Sequence, residues 1–316
     1  MSLKVEPILP RFGAECSGLD LTKPLSPDEV KQVTDAMDDW GVTVWRNPGI
    51  NDEQHVEFSR NFGYLEKVPQ REGARFRLPH RELFDASNLN VDGEITQDVA
   101  AIQYRKGDRL WHTDSAFMEK RTSYSILLAH QVPPEGGETW FADTRSAYDD
   151  LPQDMKDFLE DKIGVNTLWW SRKMAGADIA DEEIDARPKA RHPLVHTHAG
   201  SGRKALFIAA HTMDVDGMPK EEGRALIKQL IEHCTQPQYI FSVNWNVGDM
   251  VIWDNLCTMH KGGEYEYSKY RRDMRRTTVR EGTEPRQLET GDDPFGELFA
   301  ATPKTVDIQA ARYAGR

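Results

Sequence analysis

The sequence predicts a mainly β fold with flanking helices, and three observations predict it. Short apolar or β-branched segments recur at 123–132, 139–142, 194–198, 205–209, 239–245 and 250–253, many of them bounded by Gly or Pro. Helical periodicity is confined to a few stretches between or beside these segments. Neither GxGxxG nor GxxxxGK[ST] occurs, so no phosphate-cradling loop marks a nucleotide fold. Together these point to a β-sandwich or barrel with helical decoration, not an alternating βα arrangement.

The elements follow in order. Residues 26–40 read as a helix: Ser26 suits the N-cap, Pro27 the first turn, and Asp28 and Glu29 the positive end of the dipole. Val30, Val33, Met37 and Trp40 then recur at helical spacing. A strand over 42–46 follows directly. Residues 51–62 give a second helix, stopped by Gly63. Leu226, Ile227, Leu230 and Ile231 mark a third, beginning near Pro219. From about Glu281 the chain is rich in Gly, Pro, Glu, Asp and Thr. The expected organisation is therefore one domain over 1–280 and an extended tail or subunit-contact arm over 281–316.

Composition narrows the function classes. With 40 Lys+Arg against 52 Asp+Glu in 316 residues, the formal charge is −12, which argues against general affinity for nucleic acid or anionic membranes. No apolar run approaches the roughly 20 residues of a membrane span. The opening MSLKVEPILPRF lacks the layout of a signal peptide, and three scattered cysteines (Cys16, Cys234, Cys257), odd in number, argue against a disulfide framework. A cytoplasmic protein acting on a small molecule is the expectation.

Most of the ten histidines should be structural or exposed. The exception lies in Trp111-His112-Thr113-Asp114. In an extended segment residues two apart share a face, so His112 and Asp114 could offer an imidazole and a carboxylate to one ion. Two histidines and a carboxylate with an open opposite face form the arrangement used by non-haem Fe(II). Spacing alone decides little, because His55-Val-Glu57 and His80-Arg-Glu82 repeat it by chance. His55 falls in a helix, where such positions diverge; His80 lies in a polar loop. His196-Thr-His198 offers two imidazoles on one strand face and keeps a zinc reading open.

Downstream, Trp253-Asp254-Asn255 leads to His260, and Arg271-Arg272-Asp-Met-Arg275-Arg276 places four arginines in six residues of an acidic chain. Guanidinium groups bind carboxylates through a bidentate fork. On a strand Arg272 and Arg276 share one face.

The run Trp-His-Thr-Asp-Ser-Ala-Phe, the 133–139 segment Pro-Pro-Glu-Gly-Gly-Glu-Thr and the Trp-Asp-Asn…His…Arg block resemble the taurine dioxygenase/herbicide dioxygenase family of Fe(II)- and 2-oxoglutarate-dependent oxygenases, from about Val5 to Val279. Thr197-His-Ala-Gly-Ser-Gly-Arg-Lys204 and Trp245-Asn-Val-Gly-Asp249 are similar to its 2,4-dichlorophenoxyacetate, or aryloxyalkanoate, branch. The resemblance implies a double-stranded β-helix (jelly-roll, cupin-like) core. It implies His112, Asp114 and His260 as iron ligands, and Thr139 with Arg272 as the holders of the far carboxylate of 2-oxoglutarate. Arg276 would face the acidic end of the prime substrate; a one-residue slip would put Arg271 and Arg275 in these places. O2 would be the oxidant and a homo-oligomer the assembly.

Hydroxylation beside the ether oxygen of an aryloxyacetate would release a phenol and glyoxylate, alongside succinate and CO2. An aromatic pocket is then needed, with Phe84, Phe117, Trp169, Trp170 and His211 as candidates. No histidine stands in Lys67-Val-Pro-Gln-Arg71, where taurine dioxygenase has one for the sulfonate. A sulfonate or sulfate-ester oxygenase remains the alternative, with a non-catalytic metal-binding jelly-roll beyond it. Asp114 sets aside the halogenating relatives, which lack that carboxylate.

Overall fold

The computed structural model describes residues 2–68 and 75–287, so the expected arm lies outside the described residues from 288 onward, as do residues 69–71 of the 67–71 segment. The strands are β1 (Lys4–Pro7), β2 (Ala14–Ser17), β3 (Val42–Trp45), β4 (Phe84–Asp85) and β5 (Thr122–Gln131). They continue with β6 (Thr139–Asp143), β7 (Ile163–Asn166), β8 (Ala190–Pro193), β9 (Val195–Thr197) and β10 (Lys204–Leu206). The last five are β11 (Thr212–Val215), β12 (Ile240–Val243), β13 (Met250–Asp254), β14 (Thr258–Gly262) and β15 (Asp273–Arg280). Helices α1 (Pro27–Trp40), α2 (Asp52–Ser59), α3 (Val99–Arg105), α4 (Thr144–Asp149), α5 (Gln153–Leu159), α6 (Leu168–Met174), α7 (Asp181–Asp185) and α8 (Lys220–Cys234) surround them. None is long and apolar enough to cross a membrane.

Two sheets carry the architecture. The larger runs β1-β2-β3-β13-β5-β15-β4, antiparallel except for β2 beside β3; the smaller runs β12-β6-β14. Strict alternation explains how the larger sheet serves two cores. Val42, Val44, Leu127, Ala129, Val251 and Trp253 point inward, against Phe141 and Phe241 of the smaller sheet. Trp45, Ile126, Leu128, Met250 and Ile252 point outward, under Val33, Ala36 and Met37 of α1. Because both faces are covered, these strands read in sequence as unbroken apolar runs.

α1 begins as its sequence dictates. Ser26 accepts a hydrogen bond from the Glu29 N–H while the Glu29 carboxylate accepts from the Ser26 N–H, closing a capping box. Gly41 ends it in the left-handed region, where a Cβ would lie 2.9 Å from the Arg145 guanidinium. α2 ends earlier than expected, at Ser59, and a single 3-10 turn over 60–62 completes the stretch before Gly63. The predicted 194–198 strand begins at Val195 instead, since Pro193 closes β8 and the chain steps to a second small sheet.

The helices α3 to α7 were not anticipated. Each has seven residues or fewer, too short to display a period. Trp169 and Trp170, expected as pocket candidates, sit on α6 but turn away from the cleft described below. Both pack with Val165, Ile179, Ile184 and Met213, and Arg187 and Arg224 stack over their rings. They are core residues.

Candidate active site

One end of the space between the sheets opens as a cleft lined by His112, Asp114, His260, Thr139, Arg272 and Arg276. The smaller sheet builds its floor. His260 lies on β14, and His112 pairs with it directly: the His112 N–H donates to the His260 carbonyl at 2.9 Å and the reverse bond is 2.8 Å. The backbone itself thus joins two residues that are far apart in sequence. Thr113 points the other way, donating to the Thr258 carbonyl at 2.8 Å, so His112 and Asp114 emerge on one face as the alternation predicted. Ser115 follows at φ 53°, a left-handed turn uncommon outside glycine that redirects the chain immediately beyond Asp114.

Ligand atoms of His112, Asp114 and His260 all lie within 4.8 Å of one another, and all three residues are buried. Their surroundings fit a divalent ion. The His112 Nδ1 lies 2.7 Å from the Leu110 carbonyl, which makes it the protonated nitrogen and leaves the Nε2 lone pair free. The His260 Nε2 stands 3.6 Å from an Asp114 oxygen, while its Nδ1 is buried without a partner. Burial, with His112 close by, pushes the His260 imidazole well below its ordinary pKa, keeping it neutral and able to ligate.

Asp114 is held from several directions. Its N–H donates to Asn255 Oδ1 at 3.1 Å, the Thr122 hydroxyl donates to its carbonyl at 3.0 Å, and the Ser125 hydroxyl donates to Oδ2 at 2.7 Å. Asn255 in turn donates to Ser125 Oγ at 2.9 Å. Arg276 pairs with Oδ1. Burial alone would raise the Asp114 carboxyl; the Arg276 guanidinium, then His260 and His112, hold it below the usual carboxylate range. A carboxylate and two imidazoles are hard and intermediate donors suited to Fe(II) or Mn(II).

The arginine register is plain in the structure. Arg272 and Arg276 line the cleft. Arg275 faces the opposite side, pairing with Asp52 and with Asp273, and Arg271 is exposed. Arg272 is positioned by Asn88, whose Oδ1 accepts its N–H at 2.8 Å, and its guanidinium reaches the Gly137 and Ala86 carbonyls at 3.4 and 3.3 Å. Gly137 lies at φ +72°, and a Cβ there would stand 2.7 Å from Pro133. Thr139 Oγ1 accepts from the Trp245 indole at 3.0 Å, so its own proton is free to donate into the cleft.

Phe84, Phe117 and His211 also line the cleft. The Phe84 ring lies under Arg276, 4.8 Å from its guanidinium carbon, and Phe117 packs 5.0 Å from the His211 ring. Glu66, Tyr104, Asp108, Leu168 and Arg172 belong to the same wall and were not foreseen. They come from irregular segments and short helices, without a motif. Only the spacing Leu168…Arg172, one helical turn apart, could have marked them. Burial pushes the Glu66 carboxyl up to about 7, against the opposing pull of Arg280, and Ser115 donates to it at 3.1 Å.

The zinc alternative does not assemble. His196 Nε2 meets the Leu256 carbonyl at 2.6 Å, whereas His198 turns to Asp254 at 2.8 Å, so the two imidazoles share no ligand position. His55 is buried against the Ile126 carbonyl and His80 stands beside Glu53 at the surface.

A jelly-roll with this constellation at its open end defines a non-haem iron oxygenase that uses 2-oxoglutarate. The model of the taurine catabolism dioxygenase TauD, TfdA family matches residues 4–278, and the chain belongs to that family. It is 42% identical to the alpha-ketoglutarate-dependent 2,4-dichlorophenoxyacetate dioxygenase of Cupriavidus pinatubonensis, over 88% of this chain and 98% of that protein. It is 30% identical to the (S)-phenoxypropionate/alpha-ketoglutarate-dioxygenase of Sphingobium herbicidovorans, over 84% and 91%. The fold matches the crystal structure of AAD-2 in complex with Mn(II) and N-oxalylglycine with a TM-score of 0.82 and 38% identity, covering 91% of this chain and all of that one.

Proposed function

We propose that the chain is a 2-oxoglutarate-dependent oxygenase that hydroxylates an aryloxyalkanoate such as 2,4-dichlorophenoxyacetate at the carbon beside the ether oxygen. The observation that carries this reading is the convergence of His112, Asp114 and His260 on one face of a cleft that also presents Arg272, Arg276 and Thr139. The relatives named above, which act on phenoxy acids by their names, support the choice of substrate.

His112, Asp114 and His260 would hold Fe(II) through two imidazoles and a carboxylate. When bound there, iron would supply the chemistry for oxidative decarboxylation of 2-oxoglutarate to succinate and CO2 and for insertion of oxygen into a substrate C–H bond. Thr139 donates its free hydroxyl, and Arg272 its guanidinium, to the far carboxylate of 2-oxoglutarate. Arg276 keeps Asp114 ionised, and its remaining N–H groups, including a buried Nε without a partner, face the acidic end of the prime substrate. Phe117 and His211 give the aryl group an aromatic wall. Hydroxylation beside the ether oxygen yields a hemiacetal that collapses to a phenol and glyoxylate.

The test is O2 uptake and succinate release by iron-loaded protein across aryloxyacetates, aryloxypropionates, taurine and alkyl sulfates. Phenol appearing in step with succinate is the expected result. Sulfite or aldehyde from a sulfonate or sulfate ester instead would replace the substrate assignment. Arg276→Ala should weaken the prime substrate more than 2-oxoglutarate; the reverse pattern would exchange the roles of Arg276 and Arg272.

A further inference from the structure

Among the described residues three guanidinium groups line the cleft, two half-buried and one buried, and the two half-buried ones have partners already. Arg276 is matched by Asp114, so the pair adds no net charge to the cleft. Arg272 rests on two backbone carbonyls and, in the reading above, receives 2-oxoglutarate. The third is Arg172, on α6, whose side chain is only 8% exposed. Its one carboxylate neighbour among the described residues is Asp108, 3.8 Å away and itself 54% exposed, too distant for a hydrogen bond. The Arg172 Nε is buried with no partner. A buried cation left in this condition is costly unless something else completes it.

The seat of Arg172 is built for the side chain. The guanidinium lies over the Tyr104 ring, 4.0 Å from its centroid. Its other side meets Gly107, where a Cβ would come within 1.7 Å of Nη1 and 2.8 Å of Cζ. Only glycine at 107 leaves room for it. Gly107 has no left-handed conformation to explain it, so close approach is its reason. Leu168, one turn earlier on α6, lines the same wall. So does His211, whose Nδ1 is also buried without a partner.

Resting on the proposed function, we infer that Arg172 is a specificity-determining anchor for the prime substrate: held only by a long ion pair to the half-exposed Asp108, it supplies the weakly compensated positive charge that makes the cleft select an organic carboxylate over its neutral analogue. Arg276 adds directed N–H groups but no net charge. The two arginines therefore divide the work, one setting orientation beside the metal ligands and the other setting charge preference.

The experiment uses protein loaded with Mn(II) and N-oxalylglycine, which bears the two carboxylates of 2-oxoglutarate and gives no turnover. 2,4-Dichlorophenoxyacetate and its primary amide are titrated into this complex by calorimetry. The wild-type chain should prefer the acid, and Arg172→Met should reduce that preference by roughly tenfold or more while leaving N-oxalylglycine affinity unchanged. Arg172→Lys should restore part of it. Gly107→Ala tests the same point with the charge retained, because the new Cβ displaces the guanidinium; it too should lower the preference. An Arg172→Met or Gly107→Ala protein that keeps the full wild-type preference overturns the inference and leaves the oxygenase reading standing. A wild-type complex with no preference for the acid does the same. Failure of the wild-type chain to take up Mn(II) and N-oxalylglycine overturns both.

Discussion

Two buried triads in this molecule have nearly the same composition and opposite fates. His112, Asp114 and His260 lie within 4.8 Å of one another, and so do His198, Asp254 and Cys257. In the second triad every polar atom is turned inward. The Ser201 N–H donates to His198 Nδ1 at 3.1 Å, so Nε2 carries the proton and donates to Asp254 at 2.8 Å. The other Asp254 oxygen accepts the Leu256 N–H at 2.8 Å, and burial raises the Cys257 thiol far above its ordinary pKa, beside Arg145. Nothing is left for a ligand. In the first triad Leu110 occupies only the far nitrogen of His112, and Ser125 and Arg276 each engage one Asp114 oxygen, so the His112 and His260 Nε2 atoms and a remaining lone pair on each carboxylate oxygen stay available beside a cleft. Donor composition does not make a metal site; the direction in which the surroundings leave lone pairs does.

The contrast can be broken most directly at Asp114. Asp114→Ala should abolish metal-dependent 2-oxoglutarate turnover and weaken Fe(II) or Mn(II) binding by on the order of a thousandfold, with circular dichroism unchanged. A variant that retains full activity would dissolve the distinction. Metal titration of the wild-type chain should accordingly give one high-affinity ion per chain, and a second equivalent ion would place metal in the inner triad after all.

His198→Ala should do the opposite: it leaves the buried Asp254 carboxylate without its donor, costing about 3 kcal/mol of stability in denaturant unfolding, while the folded protein keeps its metal affinity. Ser125→Ala sharpens the comparison from the other side. It removes the hydroxyl that orients Asp114 and should lower metal affinity by about tenfold, with little effect on the affinity for 2-oxoglutarate. The smallest change is Cys257→Ser, which should cost about 1 kcal/mol in stability and leave turnover and metal content as they are.

The taurine dioxygenase/herbicide dioxygenase character of the chain was legible because its carriers are local. His112-Thr-Asp114 needs only an extended backbone to share a face, and the Ser26…Glu29 capping box is completed within one turn. The apolar runs of β5 and β13 identified themselves by composition. The stretch around Leu168–Met174 carried no such signal: two tryptophans suggested a ligand wall, yet they face Ile179 and Ile184, and the residues that reach the cleft are Leu168 and Arg172 on either side of them. A seven-residue helix shows too little of its period for sequence to reveal which face turns inward.

The sequence by itself therefore determined the fold class, the most apolar of the sheet-forming strands and the kinds of side chain available for ligation, since these depend on alternation, capping and residue type within a few positions; short strands such as β7, β11 and β14 carried no such signal. Tertiary structure alone decided which donors became a site. It joined His112 to His260 through a single backbone bridge and set Arg276, rather than Arg275, against Asp114. It closed His198 onto Asp254 and seated Arg172 between Tyr104 and Gly107. Each of these outcomes depends on the relative placement of segments far apart in the chain, and hydrogen bonds and desolvation are settled only when those segments meet.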